Sequence, residues 1–382
     1  MLHFQIPRTS GQLLRSIQCQ PINDPKPKIS NSLSHYLYDI KQRIDAHENQ
    51  WDVCKRYTNP FEYIHTIVPG KRKGVAKHRP LSRSYFKMIE LVKFFKLLET
   101  QGGDIRSFHL AEGPGGFIEA LAHIRGNEND RYIGMTMLDA ASLREDQGVP
   151  GWKKSQQFLA ENATTVSIEC GADGTGNILS MENLRHCIAK YGNQMDLITG
   201  DGGFDFSQNF NEQEIHITKL LFGQLVYAVC LQKPGGCFVL KVFDCFMSQT
   251  LDILAILSSL YDKVYLTKPQ TSRYGNSEKY VVCKGFIPPS SSSSLLLLIQ
   301  AFSDMLDCKE EEAFRFLSRE LPLLFLSRME EYNAIFGQQQ IENIYYTLSL
   351  MEHKYKSEKM DTLVKSNVQK CMQWCAKFNV SC

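Results

Sequence analysis

Four residues spread along the chain are of the types needed to take a proton from a hydroxyl: Lys87, Asp201, Lys241 and Glu278. Each lies in its own motif: RSYFK, DLITGDGG, GGCFVLKVFD and SRYGNSEKYVVC. An ordinary lysine titrates near about 10.4 and is a poor base at neutral pH. Burial and a second cation favour its neutral form, whereas neighbouring carboxylates favour the charged one. Lys241 is the expected base, because FVLKVF sets a charge inside an apolar strand, and lysines are rarely buried unless paired. Asp201 and Glu278 are expected to orient the two lysines. Each residue also has a plainer reading. Lys87 could be a solvated helix lysine, Asp201 a turn residue in GDGG, and Glu278 a surface acid ahead of a strand.

Between these motifs runs AEGPGGF, with Gly113, Gly115 and Gly116 in one turn. Glycines allow a sharp turn and close approach to a ligand, or simply tight packing. The following strand ends at Thr136, with Asp139 beyond it. It lacks the acid expected about 20 residues past the glycines of a dinucleotide site. Recognition of a nucleoside would then fall to later loops such as GADGTGNIL, unless that loop is an ordinary polar connection.

The surrounding pattern must position these groups. Phe86, Ile89, Val92, Phe95 and Leu98 recur at helical spacing. Then IRSFHL, YIGMTM, TVSIEC, MDLITG and CFVLKVF read as strands separated by amphipathic stretches, followed by VYLTK and KYVVCKGF with a short connection. Strands alternating with helices predict a doubly wound α/β sheet, mainly parallel, with an antiparallel last strand. Ligands of such sheets bind beyond the carboxyl ends of the strands, where AEGPGGF falls.

Outside this region the first forty residues, with PINDPKPKIS, read as an irregular arm, and residues 33 to 66 as one or two helices. PPSSSSS reads as a flexible linker, and the remainder as a helical tail without proline after Pro322. The expected organisation is an N-terminal extension over 1–79, a catalytic domain over 80–287, a linker over 288–295 and a helical tail over 296–382.

The charge balance, 43 basic against 41 acidic residues, gives +2 and by itself argues for no nucleic-acid partner. A local run does: Lys71, Arg72, Lys73, Lys77, Arg79 and Arg83 lie within thirteen residues and could grip phosphates, or form a solvated loop. Tyr57, Phe61 and Tyr63 could stack on a base or pack in a core. The twelve cysteines show no metal-ligand spacing, so no metal is expected. Cys170, Cys230, Cys237 and Cys283 read as small buried hydrophobes. With no apolar signal core and no spanning run of about 18 apolar residues, a soluble, reducing compartment is expected.

Taken together, AEGPGGF, IGMTM, GADGTGNILSMENL, TGDGGF, LFGQLVYAVCLQKPGGCFVLKVFD and YLTKPQTSRYGNSEKYVVCKGF resemble the FtsJ-like S-adenosylmethionine-dependent RNA ribose 2′-O-methyltransferases. The likeness is greatest to the enzymes acting on the first transcribed nucleotide of capped mRNA, versions from large DNA viruses included. KRYTNPFE, ahead of the basic run, is similar to a segment of the same enzymes. The resemblance implies a Rossmann-like methyltransferase fold, S-adenosyl-L-methionine as cofactor and Lys87, Asp201, Lys241 and Glu278 as the catalytic tetrad. It implies a cofactor site at Ser82, Ala111, Glu112, Gly113, Pro114, Gly115, Gly116, Phe117, Thr136, Asn177, Ile178 and Asp201. Asn177 departs from the aspartate common there. The implied substrate contacts are Lys55, Arg56, Asn211, Glu212, Gln213 and Asn276. The partner would be the 5′ end of capped mRNA, with no membrane, and other capping or transcription proteins could dock on the extensions. The place of action would be the cytoplasm (a viral factory for a viral chain), or alternatively the nucleus. Two other functions fit the same residues: a ribosomal or transfer RNA 2′-O-methyltransferase, or an inactive RNA-binding scaffold.

Overall fold

A computed structural model describes residues 1–99, 103–138, 151–203, 213–308, 313–352 and 357–382. Its strands are β1 (Leu2–Gln5), β2 (Ile17–Ile22), β3 (Arg106–Leu110), β4 (Arg131–Met135), β5 (Val166–Ile168), β6 (Met195–Gly200), β7 (Gln232–Val242), β8 (Tyr261–Lys268), β9 (Lys279–Phe286) and β10 (Ala313–Leu317). The helices are α1 (Asn31–Asp45), α2 (Glu48–Thr58), α3 (Ser84–Phe95), α4 (Gly116–Arg125), α5 (Gln156–Glu161), α6 (Met181–Tyr191), α7 (Gln213–His216), α8 (Thr218–Leu231), α9 (Ser248–Leu260), α10 (Ser292–Leu306), α11 (Leu323–Glu352) and α12 (Ser357–Lys377).

The seven strands expected from the alternating pattern form one sheet in the order β8-β9-β7-β6-β3-β4-β5, with β1 added beside β8. From β7 to β5 the pairing is parallel, and β9 runs antiparallel between β7 and β8. Strand residues alternate between the two faces. On β7, Phe238, Leu240 and Val242 join the core beneath α8 and α9, while Cys237 and Val239 join the core beneath α3 and α4. Lys241 continues this second face and pairs in register with Tyr280 of β9. The alternation alone therefore aims Lys241 at α3, the helix that carries Lys87.

Helix α8 is almost wholly buried in the core. By length and composition Gln213–Leu231 could cross a membrane, contrary to the expectation that no such stretch exists, but 83% of its apolar window is buried inside the protein. Cys230, Cys237 and Cys283 are buried as expected, while Cys170 is half-exposed just past β5.

The amino-terminal residues are not an irregular arm. β1 extends the main sheet through Leu2↔Lys268 and Phe4↔Leu266, and β2 forms a separate ribbon with β10. Two-stranded pairing gives β2 an edge, where Pro21 is tolerated. The serine run is also divided. The Ser291 hydroxyl accepts from the Ser293 amide, a favoured N-cap, so α10 starts at Ser292 inside the stretch expected to be linker. The tail is helical as expected except for β10. Its helix α11 packs against α1 and α2, and α12 packs near the Tyr63 segment, so both chain ends border the site.

Candidate active site

The four dispersed residues converge at the carboxyl ends of β6 and β7. Lys87, in the first turns of α3, donates from Nζ to Glu278 Oε2 at 2.7 Å. Lys241 donates to the Asp201 carbonyl at 2.6 Å and lies 3.4 Å from Asp201 Oδ1. Tyr280 joins the pairs, donating to Asp201 Oδ1 at 2.7 Å, with Lys87 Nζ 3.4 Å from its hydroxyl. Ser272 donates to the other Glu278 oxygen at 2.7 Å. Burial pushes the Glu278 carboxyl up, but the charges of Lys87 and Lys241 outweigh it and hold the group well below the usual carboxylate range.

Two cavities meet at this cluster, and Gly203 and Lys241 line both. One, of about 510 Å³, is bordered by Lys87 and Asp201 and takes in Ser82, Ala111, Glu112, Gly113, Pro114, Thr136, Asn177 and Ile178. Its size and its mixed apolar and polar lining suit a small organic ligand. Most of the residues that the resemblance assigned to the cofactor therefore surround one space. The exceptions are Gly115, Gly116 and Phe117. Phe117 is buried in the core near Tyr280. At Gly115 φ is +93°, and a Cβ there would approach Trp152 to 3.0 Å; at Gly116 it would strike the Ser82 and Ser84 hydroxyls. These two glycines serve the close packing of the turn, so an added side chain would disturb the cavity through its neighbours.

The GADGTGNIL loop is brought against the end of β4, where Leu138 donates its amide to Thr175 at 2.6 Å. The Asn177 Oδ1 accepts from the Leu179 amide at 2.9 Å. An aspartate could accept the same bond, so the departure at Asn177 preserves the turn. Asp139 falls outside the described residues. Glu112 is buried and accepts from Thr199 and His109. Burial pushes its carboxyl up.

The second cavity, of about 430 Å³, is bordered by Glu278 and carries Lys55, Gln213 and Asn276 of the expected substrate contacts. Asn276 is fixed through Lys268, which donates to its carbonyl at 2.7 Å and to its side-chain oxygen at 2.8 Å. Arg56 is exposed on α2 and does not border the cavity, and Asn211 and Glu212 lie outside the described residues. On the opposite wall, Lys55 and Asn59 come from the KRYTNPFE segment that the sequence singled out, whereas Lys41 and Trp51, and Gln340 and Asn343 of α11, were not foreseen. Trp51 is the aromatic side chain on this wall, beside Gly275, while Phe243 lines the same cavity next to Lys241. Of the two readings for these aromatics, core packing holds for Tyr63, which is 1% exposed, and Phe61 packs against the same core. The residues tying KRYTNPFE to the site are Asn59, which accepts from the Tyr274 amide at 2.9 Å, and Glu62, which accepts two bonds from Arg273 at 2.6 and 2.9 Å. Burial would raise the Glu62 carboxyl, but Arg273 and Arg83 draw it down to about 2.

That pairing removes Arg83 from the expected phosphate-gripping run. Its guanidinium faces inward, 3.8 Å from Glu62 and donating to the Thr271 carbonyl at 2.8 Å. Lys71, Arg72, Lys73, Lys77 and Arg79 remain exposed. Lys73 and Arg79 border a further groove that shares Ser82 and Arg83 with the first cavity.

An α/β sheet of this order, with a ligand-sized cavity at the carboxyl ends of its strands and a lysine–carboxylate cluster at the cavity's mouth, defines a group-transfer site on a Rossmann-like fold. Residues 80–286 match the family of FtsJ-like methyltransferases, more than half of the chain, and the chain belongs to that family. A cap-specific mRNA (nucleoside-2′-O-)-methyltransferase 1 of Trypanosoma brucei brucei is 38% identical over 232 residues, covering 58% of this chain and 58% of that protein. The protein of the same name from Trypanosoma cruzi is 36% identical over 258 residues, covering 66% and 67%. A cap-specific mRNA (nucleoside-2′-O-)-methyltransferase 2 of Mus musculus is 27% identical over 369 residues, covering 91% of this chain and 47% of that protein. The chain thus spans from about half to two thirds of the length of these relatives.

Proposed function

We propose that this chain transfers the methyl group of S-adenosyl-L-methionine to a ribose 2′-hydroxyl of RNA, at the first transcribed nucleotide of capped mRNA. The observation that carries the reading is the junction of two cavities at Lys241, with Lys87, Asp201 and Glu278 around it. Ser82, Ser84, Thr136, Asn177 and Asp201 would hold the donor against the apolar Pro114, Ile178 and Leu220. Bound there, the donor supplies an electrophilic methyl on a cationic sulfur. Lys241 would accept, at its Nζ, the proton that the ribose hydroxyl gives up as it takes the methyl. Asp201 holds Lys241 through its carbonyl, and Glu278 holds Lys87. The protein's main contribution is to place the hydroxyl in line with the methyl. The relatives' names support the cap as the RNA feature selected. Twelve free cysteines suit a reducing compartment, and we place the enzyme in the cytoplasm, with the nucleus as the alternative. Calorimetry with S-adenosylmethionine separates this reading from an inactive scaffold: saturable one-site binding is expected, and no binding by the folded chain overturns the reading.

Trp51 is expected to stack on a nucleobase. Base–aromatic stacking contributes about 1–3 kcal/mol, so Trp51→Leu should raise KM for RNA roughly tenfold and leave donor affinity unchanged. The comparison to make is steady-state kinetics in RNA beside donor calorimetry.

The exposed basic run is expected to hold RNA phosphates. Replacing Lys71, Arg72 and Lys73 with Ala should weaken all RNAs alike and reduce the salt slope by about 0.7 per lost single-strand contact. Preference for capped RNA should survive, because phosphate contacts position without specifying. A salt titration of binding that gives the wild-type slope would leave the run a solvated loop.

A further inference from the structure

We propose that Glu90 is a positioning residue that fixes the spacing of Lys87 and Glu278 by locking α3 to the loop 269–278. The inference rests on the methyl-transfer reading above. Glu90 lies one turn beyond Lys87 on α3 and is completely buried. Its Oε2 accepts from the Gln270 amide at 2.8 Å, and its Oε1 accepts from the Thr271 amide at 2.8 Å and the Thr271 hydroxyl at 2.6 Å. The next residue, Ser272, donates to Glu278 Oε1, and Lys87 donates to Glu278 Oε2, both at 2.7 Å. The bonds therefore close a ring. It runs from Glu90 to Thr271, along the chain to Ser272, across to Glu278, on to Lys87, and back along α3 to Glu90.

Two backbone N–H groups, that of Thr271 buried and that of Gln270 partly so, and one hydroxyl share the one carboxylate. A buried donor left unpaired is costly, so Glu90 fixes the exact placement of this end of the loop. Other anchors hold the loop from different sides: Arg83 on the Thr271 carbonyl, Asn59 on the Tyr274 amide, and Lys268 on the carbonyls of Asn276 and Glu278. Arg83, the N-cap of α3, also ties Thr271 to that helix, but by its carbonyl; Glu90 is the tie from within α3, one turn from Lys87, and it holds the amides. Removing its bonds leaves the loop attached but frees Glu278 to drift relative to Lys87. A misplacement of about 1 Å far from the chemistry can cost about 10²-fold in rate.

Glu90→Gln keeps the volume and replaces one acceptor with a donor. Thr271→Val removes a single hydroxyl bond, and Thr271→Ser retains it. In the full chain, Glu90→Gln is expected to lower kcat at least tenfold with the donor Kd within about twofold of wild type. Thr271→Val should lower kcat severalfold, and Thr271→Ser should restore it. Amide exchange should quicken across 270–278 in Glu90→Gln. A wild-type kcat in Thr271→Val, or a kcat loss matched by equal loss of donor affinity, overturns the proposal. So does wild-type exchange at 272–278 in Glu90→Gln. A wild-type chain that transfers no methyl would instead refute the reading of function, and the exchange measurement would still decide whether Glu90 holds the loop.

Discussion

Lys241→Ala is expected to lose about 10²–10⁴-fold in methyl transfer, the usual contribution of a positioned general base, while binding S-adenosylmethionine nearly as well as wild type. The effect should fall on kcat, because the amine acts on the hydroxyl as it reacts. The fold should survive. Lys241 lies at the end of β7, where the next strand residues are already held by register with β6 and β9, and its side chain is 12% exposed at the cavity mouth. Lys241→Met, which keeps the stem and removes the amine, should behave the same way. Single-turnover kinetics with prebound donor make the check, and near wild-type turnover in either variant would take Lys241 out of the mechanism.

Glu278→Gln should have the second-largest effect, and on stability as well as rate. The carboxylate receives Lys87 and Ser272 directly and lies in the field of Lys241. Breaking one partner of a buried pair costs about 3–5 kcal/mol, and an amide in place of the acid should cost about 3 kcal/mol at neutral pH. Because the folded-state carboxyl is held below its ordinary value of 4.5, its stabilisation is fully present above that value. It is lost as pH falls towards the depressed folded value. The denaturant midpoints of wild type and variant should therefore be far apart at pH 7 and converge below about pH 4.5. A separation independent of pH in that range would show that the Lys87–Glu278 charge pair contributes little.

The site was legible where chemistry interrupts a regular pattern. Lys241 breaks an apolar strand, and the alternation of β7 aims it at the same face as Val239 and Cys237. Strands β3, β4, β6, β7 and β9 were legible because each is a largely buried apolar run, and β5 and β8 because they fall in the same alternation with helices. β1, β2 and β10 were not: β1 and β2 are mostly exposed or half-buried and β2 contains Pro21, while β10 lies in a stretch that otherwise reads as helical. Arg83 looked like one more member of a basic run, and only the buried Glu62 carboxylate, brought from another segment, turns it inward. For Tyr63 the sequence left stacking and core packing open for a similar reason, since the core that covers it includes Cys371, Trp374 and Cys375 from the far end of the chain. The wall made by Trp51, Gln340 and Asn343 depends on α2 packing against α11. No local pattern encodes a contact between segments nearly three hundred residues apart. Family motifs could locate the tetrad and the KRYTNPFE part of the substrate wall, because each motif is local, but not Lys41, Trp51 or the α11 residues of that wall.

The junction of the two cavities is the place where we propose that a ribose hydroxyl next to a cap is methylated. The most direct test is transfer from methyl-labelled S-adenosylmethionine to short RNAs of one sequence, capped and uncapped, followed by nuclease mapping of the labelled nucleotide. The account predicts label on the ribose 2′-oxygen of the first transcribed nucleotide, in capped RNA well above uncapped RNA, and none with Lys241→Ala. Label on a base, label at internal riboses irrespective of the cap, or undiminished transfer by Lys241→Ala would contradict it.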